Sequence, residues 1–277
     1  MNHHKKVVCI SGKGKLAIDC LLVLKNLQNF YKFDLLACPS RTQTPWQPSF
    51  SQVAQRANVP IVSLEQLYES NSDFLFISAQ FDQIIDISNF PKSTFINIHL
   101  SLLPKYRGAM PVVWPIYYGD PCAGITIHEI DQGIDTGPVI YQKAIKISPQ
   151  TRAKDLYETL IHIASKAFKK NAVTLLQGSY RATPQPIEGA SFFTRADFAR
   201  MPKELDPKRA ADQVRRHAHA LYFPEYQTAT FQGKGVARCD VLPERSTAPA
   251  GTVVLEAPEG VRVATRDWDV WLTWADP

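Results

Sequence analysis

The sequence lacks the features that would place it in several broad protein classes. Its five cysteines are widely scattered and form no CxxC pair, so their spacing predicts neither a disulfide framework nor a metal site. No apolar run approaches the roughly 20 residues of a membrane span. The apolar run after the first residues is too short for a signal peptide, which makes the cytoplasm the expected compartment. A net charge of +5 over 277 residues is too small to call for a nucleic-acid partner.

Apolar runs that alternate with helical patterns fill the chain up to about residue 180. Strand-like runs occur at 7–10, 33–38, 60–64, 73–79 and 93–100, and helical patterns at 16–27, 49–59 and 151–178. We expect Ser49 or Ser51 to cap the helix over 49–59, Thr151 to cap the helix over 151–178 and Gly178 to end it. Strands alternating with helices predict a Rossmann-like, doubly wound, mostly parallel sheet in an α/β fold.

Composition changes at 180–190, a segment punctuated by proline and glycine that we interpret as a linker. Beyond it, a helical pattern with basic residues (KRAADQVRRHAH) precedes several short strand patterns joined by turns. The sequence therefore predicts a catalytic domain over 1–190 and a small mainly-β domain, of barrel or sandwich type, over 191–277. The basic helix is expected to present a solvated face, and contact with tRNA or phosphate is the alternative.

Three tryptophans near the C-terminus have two interpretations. Trp268, Trp271 and Trp274 either close the core of the small domain or pack against a partner subunit in a homodimer. We expect at least two of them to belong to the core.

Two polar residues lie where a predicted central strand ends. Asn97 and His99 flank Ile98, so strict alternation places both polar side chains on one face of the strand. In doubly wound sheets, ligands bind beyond the carboxyl ends of the strands. Asp135 lies in a glycine-rich loop (IDQGIDTGP) that could hold a carboxylate near the same edge.

An amide, an imidazole and a carboxylate together suit acyl transfer to an amine. The carboxylate helps to remove the amine proton, while the imidazolium and the amide stabilise the oxyanion. Considered separately, Asn97 and His99 are better explained as caps of backbone groups, and Asp135 as a turn former. Residue types alone do not decide between these readings.

A longer pattern resembles a known family. The segments NIHLSLLPKYRGAMP and GITIHEIDQGIDTGPVI are similar to the signature blocks of the 10-formyltetrahydrofolate-dependent formyltransferases. That family includes glycinamide ribonucleotide, methionyl-tRNA and nucleotide-sugar N-formyltransferases. The resemblance covers roughly residues 6–180 and, more weakly, 205–275, where the family has a barrel-like C-terminal module.

The resemblance implies roles for individual residues. Asn97, His99 and Asp135 match the catalytic trio, and His128 matches a histidine found in some members only. The co-substrate is then 10-formyltetrahydrofolate, with no metal, and the residues expected to bind it are Phe81, Gln83, Ile84, Leu102, Asp131, Gln132, Gly133 and Ile134. Arg107 belongs to a signature loop, and the resemblance suggests that it fixes loop geometry, although we also count it among the candidate acceptor-binding residues.

Other residues are candidates for binding the acceptor. Lys13 and Lys15 lie in GKGK, which lacks the third glycine of a dinucleotide fingerprint and is better explained as a tight strand-to-helix turn. Their ammonium groups could still reach an anionic acceptor. Trp46 is either an exposed loop anchor or a wall of the acceptor cleft.

The resemblance favours a nucleotide-linked amino sugar as the acceptor. The region between Cys38 and Val59 is short and holds only two arginines, whereas members acting on tRNA carry an extended basic loop there. Methionyl-tRNA remains an alternative because the C-terminal module is shared with the tRNA enzymes. A non-catalytic folate-binding homologue is a further alternative, and so is a hydrolase that releases formate.

Overall fold

The computed structural model describes residues 6–42, 45–70, 73–90 and 92–275. The first five residues, part of the segment considered above as a signal peptide, lie outside the described residues. The chain forms two compact units. Unit 1 contains residues up to Arg107 together with Gly124–Ala144 and Leu160–Ser191, and unit 2 contains Gly108–Ala123, Ile145–Thr159 and the residues from Phe192 onward. The domain boundary at residue 190 stays a prediction.

Unit 1 is built on a six-stranded sheet with the order β2-β1-β3-β4-β6-β7. Its strands are β1 (Lys6–Gly12), β2 (Phe33–Pro39), β3 (Phe74–Ala79), β4 (Thr94–His99), β6 (Cys122–Glu129) and β7 (Val139–Lys146). The pairs β1–β2, β1–β3 and β3–β4 are parallel, and β6 runs antiparallel to β4. The predicted α/β fold with a mostly parallel sheet is confirmed.

Up to residue 180 the described chain forms five α-helices, three of which coincide with the helical patterns predicted at 16–27, 49–59 and 151–178, whereas the helix at 113–118 corresponds to no predicted pattern. They are α1 (Gly14–Leu27), α2 (Phe50–Arg56), α3 (Leu64–Glu69), α4 (Val113–Tyr118) and α5 (Ala153–Gln177). Every residue of β3 is buried, as its apolar run predicts for a strand covered on both faces. Gly178 has a φ of +67°, so it ends α5 in the left-handed conformation that favours glycine.

Two local predictions are wrong. Residues 60–64 form no strand, because only an isolated bridge from Ile61 to Ala37 pairs this segment with the sheet. Thr151 does not cap α5, because the helix begins at Ala153 and the Thr151 hydroxyl accepts a hydrogen bond from the Ser148 amide, at 2.9 Å. Ser49 does cap α2, since its hydroxyl accepts from the Gln52 amide.

Unit 2 is built around a five-stranded sheet whose strand order is β11-β12-β13-β10-β9. The elements are the short strands β5 (Arg107–Gly108) and β8 (Phe192–Phe193), helices α6 (Arg195–Ala199) and α7 (Ala211–Leu221), and strands β9 (Ala229–Phe231), β10 (Lys234–Val241), β11 (Val253–Ala257), β12 (Gly260–Ala264) and β13 (Asp269–Trp274). All described pairings within the five-stranded sheet are antiparallel, which confirms a mainly-β module at this end of the chain. The core of this module is formed by α7 together with strands β9, β10, β12 and β13.

The C-terminal tryptophans differ in burial. Trp274 packs against the core of the antiparallel sheet and Trp271 is half-buried, whereas the side chain of Trp268 is 47% exposed. A homodimer formed through this region stays a prediction. Within the described residues, none of the helices combines the length and apolar character that a membrane span requires.

Candidate active site

Strand β4 presents Asn97 and His99 on one face, as the alternation of the sequence predicts. Ile98 between them is buried on the opposite face. The antiparallel register of β4 and β6 pairs Asn97 with His128 and His99 with Thr126. His128 therefore joins the two predicted residues on the same face, because directly opposed residues share a face of the sheet.

The loop between β6 and β7 places the Asp135 carboxylate against this group. Asp135 Oδ1 accepts a hydrogen bond from Asn97 Nδ2 at 3.1 Å, and Asp135 Oδ2 lies 3.5 Å from His99 Nδ1. The side chains of His99 and Asp135 are only 7% and 13% exposed, so the contact is largely shielded from water. Residues almost forty positions apart in the chain thus converge on one point.

His128 fixes the orientation of the Asn97 amide. Its Nδ1 donates to its neighbour's carbonyl, Glu129 O, at 2.7 Å, which leaves Nε2 as an acceptor in the neutral ring. Asn97 Nδ2 lies 3.1 Å from His128 Nε2 and 3.1 Å from Asp135 Oδ1. Both neighbours are acceptors, so the amide must direct its NH₂ group toward them.

The tautomer of His99 is set in a similar way. Its Nε2 lies 2.8 Å from the backbone carbonyl of Tyr106, which can only accept, so Nε2 carries a proton. Nδ1 is left to face Asp135. Burial lowers the pKa of His99 below its ordinary value, and the Asp135 carboxylate opposes this shift without cancelling it. His99 is therefore neutral near pH 7, with its Nδ1 able to take up a proton beside the carboxylate.

The loop that carries Asp135 is tightly folded. Asp131 Oδ1 accepts from the Gly133 amide at 3.0 Å and from the Thr136 hydroxyl at 2.5 Å. A Cβ on Gly137 would lie 1.9 Å from Glu129 O, so only glycine fits at that position. Asp135 itself has a φ of +55°, a strained conformation for a residue other than glycine.

The residues predicted to bind the co-substrate lie on three segments of unit 1. Ile84 and Ile134 are 84% and 48% exposed, which is unusual for large apolar side chains. Phe81 is half-buried and packs edge-on against Phe76, with ring centroids 5.7 Å apart. The remaining candidates in these segments are also half-buried or exposed: Gln83, Leu102, Asp131, Gln132 and Gly133. Their role in binding stays a prediction.

The candidate acceptor-binding lysines are engaged by the chain itself. The Lys13 ammonium donates to the Thr42 hydroxyl, and the Lys15 ammonium pairs with Asp19 at 2.9 Å. The side-chain carbonyl of Gln47 accepts from the Lys15 amide at 2.8 Å and so caps the first turn of α1. These contacts support the interpretation of GKGK as a structural turn.

The other two candidates have different surroundings. Trp46 is half-buried. The Arg107 guanidinium donates to the side-chain oxygen of Gln185 through Nε at 3.1 Å and Nη2 at 2.7 Å. Arg107 thus holds the geometry of loops, which agrees with the first of its two expected roles.

Sequence reasoning missed two residues next to this site. Gln185 and Ser191 both lie in or beside the segment interpreted as a linker, yet each bonds to loops that carry site residues. The local sequence does not indicate these contacts, because a glutamine between two prolines is typical of any linker.

The arrangement is suited to proton transfer and oxyanion stabilisation. A carboxylate next to an imidazole nitrogen can accept a proton from an attacking amine, and the amide of Asn97 can donate to an oxygen that becomes negatively charged. No serine or cysteine side chain is needed as a nucleophile. This is the acyl-transfer chemistry expected from the three residue types, with one difference: the N–H of the neutral His99 is donated to Tyr106, so the amide of Asn97, rather than an imidazolium, is the donor for the oxyanion.

Comparison with known proteins gives an independent view of the chain. The model of a family described as "Formyl transferase" matches residues 43–171. The chain is 29% identical over 262 residues to a methionyl-tRNA formyltransferase of Halorhodospira halophila, covering 90% of this chain and 82% of the relative. It is 30% identical over 224 residues to one from Burkholderia ambifaria, covering 78% of this chain and 67% of the relative.

Solved structures of similar proteins extend over the whole chain. WlaRD, a sugar 3N-formyltransferase crystallised in the presence of dTDP and 5-N-formyl-THF, is 28% identical, and the match covers 100% of both chains with a TM-score of 0.87. An N-formyltransferase from Helicobacter canadensis, in complex with folinic acid and dTDP-3-aminofucose, is 26% identical. That match covers 97% of this chain and 99% of the other with a TM-score of 0.86.

Proposed function

Since the chain belongs to the formyl transferase family, we propose that it transfers a formyl group from 10-formyltetrahydrofolate to the primary amine of a nucleotide-linked amino sugar. The observation that carries the proposal is the convergence of Asn97, His99 and Asp135, with oxygen and nitrogen atoms 3.1 to 3.5 Å apart. The same three residue types would serve any amine acceptor.

The co-substrate would supply an activated formyl carbon. Two exposed apolar side chains, Ile84 and Ile134, fit a flat apolar ligand, because such a ligand would cover surface that is otherwise costly to leave in water. The tight turn at Asp131 and Gly133 would present backbone groups beside it. These features of the chain are compatible with a folate.

Each residue of the site has a distinct role in the proposed reaction. Asp135 accepts the proton that the amine loses as it attacks, and His99 Nδ1, which faces the same carboxylate, takes part in moving that proton to the leaving nitrogen. Asn97 Nδ2 donates to the oxyanion of the tetrahedral intermediate. Asn97 must then exchange one of its present acceptors, His128 or Asp135, for that oxygen.

Support for a sugar acceptor comes from the structural neighbours. Two neighbours that match over nearly the full length of both chains are named as formyltransferases; one structure was determined in the presence of dTDP and the other in complex with dTDP-3-aminofucose. The shortness of the segment between β2 and α2 agrees with this choice, since it offers few basic residues for an RNA.

Methionyl-tRNA is a second candidate acceptor. The curated relatives carry that name and match at 29% and 30% identity, slightly above the two sugar enzymes. The basic residues of α7 offer little support, because Arg215 and Arg216 both pair with Asp212 on the same helix. We therefore rank tRNA below the amino sugar.

A screen of acceptors tests the proposal. Purified protein is incubated with 10-formyltetrahydrofolate and, separately, a dTDP-linked 3-amino sugar, a dTDP-linked 4-amino sugar, initiator methionyl-tRNA or no acceptor. Release of tetrahydrofolate and the mass of the acceptor are measured. We expect a formylated amino sugar. Formylation of the tRNA alone would reverse the ranking, and formate release without an acceptor would indicate a hydrolase. Folate binding without turnover would indicate a non-catalytic homologue.

A further inference from the structure

Residues 183–191, most of which lie in the segment interpreted as a linker, are bonded to other segments of unit 1 through Thr183, Gln185 and Ser191. We refer to them as the strap. At the first end, the backbone groups of Thr183 and Val139 bond to each other in both directions, at 2.7 and 2.8 Å. The other end is held through Ser191. A free linker would have its backbone groups in water rather than in such contacts.

The middle of the strap contacts the loop that carries Asp135. Gln185 Nε2 donates to two backbone carbonyls, those of Asp135 at 2.9 Å and Gly137 at 2.7 Å. Gln185 Oε1 accepts two hydrogen bonds from Arg107. The amide therefore uses both donors and both acceptor positions. The orientation of the amide is therefore fixed. If it were flipped, its oxygen would face two carbonyl oxygens and its NH₂ group would face the Arg107 guanidinium, and neither pair can form a hydrogen bond.

The end of the strap contacts the loop that fixes His99. The Ser191 hydroxyl accepts from the Tyr106 amide at 2.8 Å, and the Ser191 carbonyl accepts from the Arg107 amide at 2.9 Å. The carbonyl of Tyr106 in turn accepts the proton of His99 Nε2. One segment thus binds the two loops from which the imidazole and the carboxylate are oriented.

Both of these loops carry a strained residue. Tyr106 and Asp135 have φ angles of +61° and +55°, in the left-handed region that side chains disfavour. Such conformations persist only where the surroundings over-determine them. For Asp135 the surroundings include the two bonds of Gln185, and for Tyr106 they include the bonds of Ser191.

We propose that Gln185 is a positioning residue for formyl transfer, which holds the backbone of Asp135 so that its carboxylate meets His99 and Asn97. The inference rests on the proposed function, because it concerns the rate of that reaction. Gln185 is assigned no contact with the reacting atoms or the co-substrate; it acts through the carbonyls of Asp135 and Gly137. A misplacement of about 1 Å at a catalytic group can reduce a rate by as much as about a hundredfold.

The substitution Gln185→Glu separates positioning from stability. The glutamate is nearly isosteric and keeps its acceptor for Arg107, so the contact with the guanidinium is retained or strengthened. The second carboxylate oxygen, however, would face the carbonyls of Asp135 and Gly137, which are also acceptors. Because the contact with Arg107 is kept, we expect the variant to fold. Because both donors to the carbonyls of Asp135 and Gly137 are lost, we expect Asp135 to be displaced.

The experiment compares Gln185→Glu with Gln55→Glu, the same change on the exposed face of α2. Steady-state formyl transfer is measured with the acceptor that the wild-type protein uses, together with the thermal midpoint. For Gln185→Glu we expect kcat to fall by roughly tenfold to a hundredfold, with KM values for both substrates within about threefold of wild type. The control should retain the wild-type kcat.

Every outcome bears on the inference. A kcat of Gln185→Glu equal to that of Gln55→Glu would overturn it, as would a loss explained entirely by a smaller folded fraction. If Gln185→Glu does not fold, Gln185→Met removes all four bonds with a side chain of similar length. Should that variant also fail to fold, Gln185 is a structural residue and the inference is wrong. Absence of transfer by the wild-type protein would instead contradict the proposed function.

Discussion

The Asn97 amide is the residue on which the geometry of the site depends most directly. It bridges His128 Nε2 and Asp135 Oδ1, both at 3.1 Å, and thereby connects strand β4 to strand β6 and to the loop beyond it. Because both partners accept hydrogen bonds, the amide is held with its NH₂ group, rather than its oxygen, toward them, and this NH₂ group is the donor that the proposed reaction requires.

Replacing His128 with Phe tests this orientation. Phenylalanine fills the space of the ring but offers no acceptor, so the Asn97 amide loses one of the two contacts that hold it. A hydrogen bond of about 1 kcal/mol corresponds to roughly fivefold in rate, and we expect kcat to fall by about that factor.

The contrasting variant is His128→Gln, whose side-chain oxygen can accept from Asn97. It should recover part of the lost rate in the same steady-state assay. Equal rates for the two variants would show that the acceptor at His128 does not orient Asn97.

Only part of this residue-scale picture could be read from the sequence. The alternation around Ile98 predicts that Asn97 and His99 share a face, and the structure agrees. The position of His128 opposite Asn97 depends on the register of β4 and β6, which a single strand pattern does not specify. The bonds of Gln185 join positions about fifty and eighty residues apart, so no local signal could have indicated them.

At the scale of elements, the hairpin of β6 and β7 is the part of the fold that the site most requires. Its loop closes only because Gly137 approaches the carbonyl of Glu129, where a Cβ would lie 1.9 Å away. The same carbonyl accepts the bond from His128 Nδ1. Any residue larger than glycine would therefore disturb both the loop and the histidine.

We expect Gly137→Ala to lower stability by about 1–3 kcal/mol, as for other overpacked positions, and to reduce kcat as well. Gly178→Ala is the matched control, because that glycine has a φ of +67° but no atom lies within 4 Å of the position that its Cβ would take. Its cost is conformational, about 1–2 kcal/mol, without an effect on kcat. Urea unfolding measures the stability of the two variants, and steady-state kinetics measures their kcat. Full activity in folded Gly137→Ala would show that the loop tolerates the added carbon.

Sequence patterns predict elements better than their ends. The helix over 151–178 exists, but its first turn starts later because Thr151 bonds back to Ser148 instead of forward into the helix. GKGK forms the turn that its glycines indicate, yet its cap, Gln47, comes from a segment more than thirty residues away. Caps of this kind are tertiary contacts and leave no signature in the local sequence.

At the scale of the whole molecule, two units with separate cores share one chain. In unit 2, His219 is a buried residue of α7. Its Nδ1 donates to the Pro149 carbonyl and its Nε2 accepts from the Cys239 amide, both at 3.1 Å. The bond to Pro149 is one of the contacts that join the segment Ile145–Thr159 to the rest of unit 2.

Burial lowers the pKa of His219 to about 4, and it also lowers the pKa values of His217 and His99. In the unfolded chain these groups bind protons below about pH 6.5, whereas the folded protein does not until the pH is lower. The unfolded state therefore binds more protons in this window. Stability is greatest above about pH 6.5 and falls as the pH decreases toward 4.

Urea unfolding at pH 7.5, 6.0 and 5.0 measures this dependence. The variant His219→Gln should be less stable at pH 7.5, because the ring packing is lost, but its stability should fall less steeply below pH 6.5. An identical slope for wild type and variant would show that His219 does not contribute to the acid sensitivity.

The central claim is that the Asp135 carboxylate, placed beside His99 and Asn97, drives formyl transfer. Its most direct test is the single-turnover rate of Asp135→Asn, an isosteric change, against that of Asp73→Asn, which alters an exposed carboxylate. With the acceptor used by the wild-type protein, we predict that Asp135→Asn is slower by about a hundredfold or more and that the control is unchanged. A rate for Asp135→Asn within a few-fold of wild type would contradict the claim.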